Sequence, residues 1–348
     1  MARTGRIVVA QEQEFEIREA QVPDPAPGTV LVRQELAGIC GTDLHNWQNG
    51  LPEPVLLGHE VTGIIDALGA GAITDYLGNP IREGDRVVVH PRNQGVTYGF
   101  RTVDSPFSGG FADYLYLDDP QSCLIKTDTP AKVAVLAEPF AVGVHAVMRG
   151  RVQLGDTVIV QGSGAIGLVT LICAKFSGAS QIIVIGGPAP RLELAKRLGA
   201  HVTIDIGEFS DAAEREKEVL RHTPRGAGAN VVFECAGFLP AFTEGLEYVH
   251  QDGTFVEVGH FVDIGEIRVS PHRHFLRRNL RLEGIWGSRF EHFIRGMAIL
   301  ENQELPYGDM VSHVLPLARV GEGFDALNGT YHLGDEAVIK IAVGSQIA

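Results

Sequence analysis

The eleven residues VIVQGSGAIGL, 158–168, limit the fold more than any other stretch of the chain. They read as an apolar strand, a glycine turn and the start of an apolar helix. A second apolar run, QIIVIGG, ends about 20 residues after the turn, the spacing of one strand–helix–strand unit. Gly162, Gly164 and Gly167 stand in a GxGxxG pattern. The first glycine permits the tight turn, the second lets backbone approach a pyrophosphate, and the third lets helix pack closely on strand. The helix N-terminus offers free N–H groups to phosphates, which adds Ala165 and Ile166 to the candidate cofactor contacts. An acid at the end of the second strand ordinarily holds a free ribose 2′-hydroxyl. Here that position is Gly186, followed by Gly187 and Pro188. Its absence removes a repulsion against a 2′-phosphate, yet no Arg or Lys follows at once. Arg191 is the nearest candidate, so NAD+ and NADP+ both stay open.

The same texture continues downstream. APRLELAKRLGA, HVTIDI, SDAAEREKEVLRHT, NVVFECAG and GTFVEVGH alternate helical and strand-like patterns, and LRLEGIWGS reads as a last strand. Such alternation predicts a doubly wound α/β parallel sheet covered on both faces. The first 140 or so residues differ. GTVLVRQELAGI, VTGIIDALG, GDRVVVH and FADYLYLD are short strands broken by Gly, Pro and Asp, which predicts a twisted, barrel-like β domain. The tail carries a helix, RFEHFIRGMAILENQ, and a strand, EAVIKIAV, expected to return to the first domain. The expected division is therefore 1–147 with 288–348, and 148–287. At 348 residues, two domains are the ordinary outcome.

A net charge of −14 with no basic run excludes the electrostatics of nucleic-acid binding. Nothing resembles a signal peptide or a membrane span, which predicts a cytoplasmic protein with no membrane partner. The four cysteines, Cys40, Cys123, Cys173 and Cys235, show no CxxC spacing. The last three lie among apolar neighbours and read as small buried hydrophobes.

Cys40 is different. CGTDLHNW, 40–47, sets it beside Thr42, Asp43, His45 and Trp47, and GHE follows with His59 and Glu60. Thiolate, imidazole and carboxylate are zinc ligands. Glu138, in the apolar run LAEPFAVGVHAV, is a further candidate, since a buried carboxylate needs a partner or a metal. Asp43 is placed to fix the His59 tautomer. Thr42 and His45 are candidates to move a proton. Trp47, Phe111 and WGSRF (286–290) are candidates to line a substrate pocket.

CGTDLHNW, GHE, AEPFAVG and GSGAIG, in this order and spacing, resemble the zinc-dependent medium-chain dehydrogenase/reductase family, nearest its sorbitol, butanediol and threonine dehydrogenase branch. The likeness spans nearly the whole chain. It implies a GroES-like catalytic domain, a Rossmann cofactor domain and an active-site cleft between them. It also implies that Cys40, His59 and a carboxylate, Glu60 or Glu138, hold a catalytic zinc. The implied activity is NAD(P)-linked oxidation of a secondary alcohol or polyol by a homodimer or homotetramer. Many members carry four close cysteines for a structural zinc, but HPRNQGVTYGFRTVDSPFSGG has none, so one zinc per chain is expected. The alternatives are a zinc-free quinone or enone reductase, or a non-catalytic nucleotide-binding protein.

Overall fold

A computed structural model of the chain describes residues 3–93, 96–119 and 123–345. Its contacts divide into two units, Met1–Glu138 with Val311–Ala348, and Pro139–Met310.

The first unit is built on the strands β1 (Thr4–Glu12), β2 (Glu14–Gln21), β3 (Val30–Gly38), β4 (Leu51–Leu57), β5 (Glu60–Leu68) and β6 (Arg86–Val89). One sheet runs β2–β1–β4 and ends on Phe100–Thr102. The other runs Leu124–Lys126, β6, β5, β3, Lys340–Gly344 and Val311–Pro316, with Tyr114–Leu117 also paired to β3. The tail thus returns as expected: Ala342 pairs with Gly38 and Val343 with Ala37. β3 and β5 supply the buried side chains Val30, Val32, Ala37, Val61 and Ile65, all at most 4% exposed, with irregularities in their register between Leu31 and Val32 and between Gln34 and Leu36. A short helix, α1 (Gly41–Gln48), leaves the end of β3 and faces its only two buried residues, Asp43 and Trp47, inward. They are four apart, hence on one face.

The second unit is the doubly wound α/β sheet. Its six parallel strands run in the order Val202–Asp205, Gln181–Gly186, Thr157–Gln161, Ala229–Glu234, Val249–Glu257 and Arg281–Gly284. That is 3-2-1-4-5-6 in chain order, with the reversal beside the strand that leads into the glycine turn. The central strand Thr157–Gln161 is buried throughout, as a strand covered on both faces must be. The helix Ala165–Phe176 buries every residue from Gly167 to Ala174.

The expected borders at 147/148 and 287/288 both fall inside the second unit. The helix Ala137–Gly150 and the helix Phe290–Glu301 pack on each other: a Cβ on Gly296 would lie 3.1 Å from Phe140 Cβ, and Phe140 meets Tyr307 edge-on at 5.6 Å. Burial of that pair holds residues 288–310 with the sheet. Among the described residues no helix is long and apolar enough to cross a membrane.

Candidate metal centre and dinucleotide turn

The first unit brings Cys40, His59 and Glu60 together, with one ligand atom from each within 4.8 Å of the others. Three local features aim them. Cys40 is the N-cap of α1, in extended backbone, so its thiol stands at the start of a helix. His59 follows Gly58, whose φ of +91° is in the left-handed region. A Cβ on Gly58 would lie 2.9 Å from Phe111, so glycine is needed twice over. Glu60 opens β5 opposite Gly38, and a Cβ there would lie 1.9 Å from Glu60 Oε2. The missing side chain of Gly38 is the space the carboxylate occupies.

Asp43 ties the cluster together. It is fully buried; its Oδ2 accepts the Cys40 N–H at 3.0 Å and its Oδ1 faces His59 Nδ1 at 3.1 Å. The carboxylate places a proton on Nδ1 and leaves Nε2 for a metal. Burial disfavours charge on His59, but the attraction of Asp43 and Cys40 outweighs it and raises the imidazole well above its usual range. Holding a metal on Nε2 requires that nitrogen to be free of a proton.

Two carboxylates face the cluster differently. Glu60 is 1% exposed and held by Lys340, whose Nζ lies 2.6 Å from Oε1 and 2.5 Å from Oε2. Lys340 Nζ also donates to the Ile39 carbonyl at 3.2 Å. Burial lowers the Lys340 pKa, but Glu60 and Cys40 more than offset it and keep the ammonium charged. Glu138, in the first helical turn of Ala137–Gly150, has no ion pair of that kind among the described residues. Burial pushes its carboxyl up to about 7; His59 and Lys340 pull it down, and Glu60 and Asp43 push it up further. It therefore senses the cluster without belonging to the group of three.

Thr42 Oγ1 lies 3.7 Å from Cys40 Sγ. His45, further along α1, has Nε2 2.8 Å from Asn49 Nδ2. Trp47 and Phe111, expected at a substrate pocket, are instead in the core of the first unit, 7% and 1% exposed. Trp47 stacks on Phe15 at 6.2 Å and meets Phe324 edge-on, and Phe111 meets Phe324 at 6.1 Å. Trp47 is there because it shares the inward face of α1 with Asp43. Trp286, in the second unit, is 69% exposed.

The glycine turn has the properties its spacing predicts. Gly162 has φ +100°, and a Cβ on it would lie 2.9 Å from Ala236 N. A Cβ on Gly167 would lie 1.8 Å from the Gly162 carbonyl oxygen. Gly164, the helix N-cap, has open space where its Cβ would be. Ala165 and Ile166 form the first helical turn beyond it. Gly186 ends the second strand and Arg191 sits half-buried in the helix Ala189–Leu198.

The loop that closes on Gly162 is braced by Glu234, whose Oε1 accepts the Ala236 and Gly237 N–H groups at 2.8 and 2.9 Å. Glu234 is fully buried beside Glu257 and His260, and burial together with the Glu257 charge pushes its carboxyl up to about 8. Its folded pKa lies above the unfolded value of about 4.5, so its contribution is present at low pH and is lost as pH rises toward 8. Glu234→Gln is expected to flatten the fall in melting temperature between pH 5 and 8, removing on the order of 2–4 kcal/mol of pH dependence. Parallel melting curves of the two proteins across that range would show it; unchanged slopes would mean that Glu234 stays ionised.

Sequence reading did not find Lys340 or the role of Gly38. The signal for Lys340 was a lone lysine in the apolar strand VIKIAV.

Comparisons with known proteins bear on the family and the fold. Residues 26–129 match the alcohol dehydrogenase GroES-like domain, and residues 165–302 match the zinc-binding dehydrogenase domain. The chain is 32% identical to 5-exo-hydroxycamphor dehydrogenase of Pseudomonas putida, over 88% of this chain and 90% of that one. It is 29% identical to sorbitol dehydrogenase of Gallus gallus, over 93% and 94%. Among solved structures, 2R,3R-butanediol dehydrogenase of Bacillus subtilis superposes with a TM-score of 0.82 at 25% identity, covering 98% of this chain and all of that one. An alcohol dehydrogenase of Thermotoga maritima, 24% identical, shares the fold with a TM-score of 0.89 over 98% and 99%.

Proposed function

Because this chain belongs to the zinc-dependent medium-chain alcohol dehydrogenase family, we propose that it oxidises a secondary alcohol or polyol to the ketone, reversibly, with NAD+ or NADP+ as hydride acceptor. The observation that carries this reading is the convergence of Cys40, His59 and Glu60 within 4.8 Å, with Asp43 fixing the histidine.

The donor set fits zinc: one thiol, one imidazole and carboxylates nearby. Cys40 and His59 would hold it, with Glu138 the favoured carboxylate because Glu60 is already matched by Lys340. The turn fits a dinucleotide, with room for phosphate beside Gly164. When bound, zinc supplies a Lewis acid for the alcohol oxygen and the nicotinamide accepts a hydride. The chain does the rest. Asp43 keeps His59 in one tautomer, Thr42 relays the substrate's hydroxyl proton by accepting it as it gives up its own, and His45 receives the relayed proton and passes it toward solvent. One catalytic zinc per chain and no cysteine-held structural zinc are part of the proposal. So are action in the cytoplasm and a homodimer or homotetramer. The edge strand Arg281–Gly284 and the exposed Leu276, Leu282 and Trp286 support the self-association.

Zinc analysis of protein never exposed to chelator should give about one ion per chain, and secondary alcohols should drive reduction of NAD+ or NADP+. Thr42→Ala should keep zinc and NADH binding while turnover falls by roughly 10²-fold or more. Zinc-free protein that ignores added zinc would move the chain to the zinc-free reductases or to non-catalytic nucleotide binders.

A further inference from the structure

We propose that Asp205 takes the place of the acid that Gly186 lacks, so that the chain selects NAD(H) over NADP(H). The proposal rests on the dinucleotide reading above and names which dinucleotide is held.

The argument starts from why no acid stands at the usual position. A Cβ on Gly186 would lie 2.5 Å from Ser163 Oγ. That hydroxyl is engaged: it accepts the Gly187 N–H and donates to the Gly187 carbonyl, both at 3.0 Å. Ser163 is the second residue of the glycine turn, so the bridge locks the turn to the end of the second strand. A side chain at 186 would break the lock. The geometry of the turn and a local acid exclude each other.

The neighbouring strand supplies one instead. Asp205 is the last residue of Val202–Asp205 and pairs with Gly186 across the parallel sheet. A Cβ on Gly187 would lie 3.5 Å from Asp205 Oδ1. The carboxylate therefore stands beside the end of the second strand, within contact of the space that a side chain on Gly187 would enter. Its Oδ1 accepts the Gly207 N–H at 2.8 Å, which fixes its direction, and Oδ2 carries no hydrogen bond among the described residues. Gly187 has no side chain to screen it.

Two consequences have the same sign. A 2′-hydroxyl donates a charge-assisted hydrogen bond to a carboxylate. A 2′-phosphate brings negative charge against it. Arg191 is the opposing residue, and it lies a turn into the following helix rather than at the strand end.

The test is equilibrium binding of NADH and NADPH, followed by nucleotide fluorescence without alcohol, to the wild-type protein and to Asp205→Asn. Asparagine keeps the size and the acceptor for Gly207 but loses the charge. The wild-type protein should bind NADH roughly tenfold to a hundredfold more tightly than NADPH. In Asp205→Asn that ratio should fall below about threefold, partly through tighter NADPH binding, a gain that an unfolded variant cannot give. Equal or preferential binding of NADPH by the wild-type protein would overturn the proposal. So would a ratio unchanged in the variant. Failure of the wild-type protein to bind either nucleotide would sink the dinucleotide reading itself, and the proposal with it.

Discussion

Cys40→Ala is expected to bring bound zinc from about one ion per chain to near zero, and kcat/KM down by about 10³-fold or more. The size follows from the several kcal/mol of charge stabilisation that a metal gives a developing alkoxide, at a factor of ten for each 1.36 kcal/mol. Other functions of the residue survive the change. Its backbone N–H, not its thiol, anchors Asp43 Oδ2, so the start of α1 and the orientation of His59 persist. NADH affinity should stay within about twofold, because the glycine turn is in the other unit, and stability within about 1 kcal/mol. Metal analysis, nucleotide binding and melting on one preparation separate these effects. Full zinc content in the variant would show that Cys40 is not a ligand.

Lys340→Met is expected to destabilise the metal-free protein by about 3–5 kcal/mol. It leaves Glu60, 1% exposed, with its charge unmatched, and removing one partner of a buried pair costs far more than the pair contributes. The melting transition should fall by roughly 6–20 °C. The double variant Lys340→Met with Glu60→Gln should recover most of the loss, since neither charge remains. Added zinc should raise the melting temperature of the single variant more than that of the wild-type protein, because Glu60 would then find its cation in the metal. A single variant that melts within 2 °C of wild type, with no extra response to zinc, would mean that the ion pair has no part in holding the pocket.

What could be read from the chain, and what could not, divides along sequence distance. The glycine turn was legible because all three glycines, the strand before them and the helix after them are contiguous, and each glycine answers to a local steric demand. Cys40, Asp43, His59 and Glu60 were legible as chemistry because few structural needs place those residue types side by side. Trp47 and Phe111 were misplaced because an aromatic ring beside a site looks the same in sequence as one beneath it; only the inward face of α1 and the ring of Phe324 decide. Lys340 and Asp205 matter through strand register. Lys340 acts across 280 residues and Asp205 across an intervening helix, and pairing of that kind leaves no local pattern. The domain borders slipped for a similar reason. Phe140 and Tyr307 must pack together before it is clear to which unit their helices belong.

The return of the C-terminal strand to β3 has a consequence for how the protein is made. On the ribosome, Glu60 emerges 280 residues ahead of the lysine that neutralises it. At about 5–20 residues per second, that is a wait of roughly 15–55 s. Once Arg281–Gly284 has emerged, Pro139–Met310, one uninterrupted segment, has every strand of its own sheet in hand, while the amino-terminal unit still lacks two strands of the sheet that carries β3 and β5. Vectorial synthesis therefore favours the inserted nucleotide unit as the first to close. The thiol, imidazole and carboxylate wait in an unfinished sheet, where a captured metal ion would offer Glu60 a cation before Lys340 arrives.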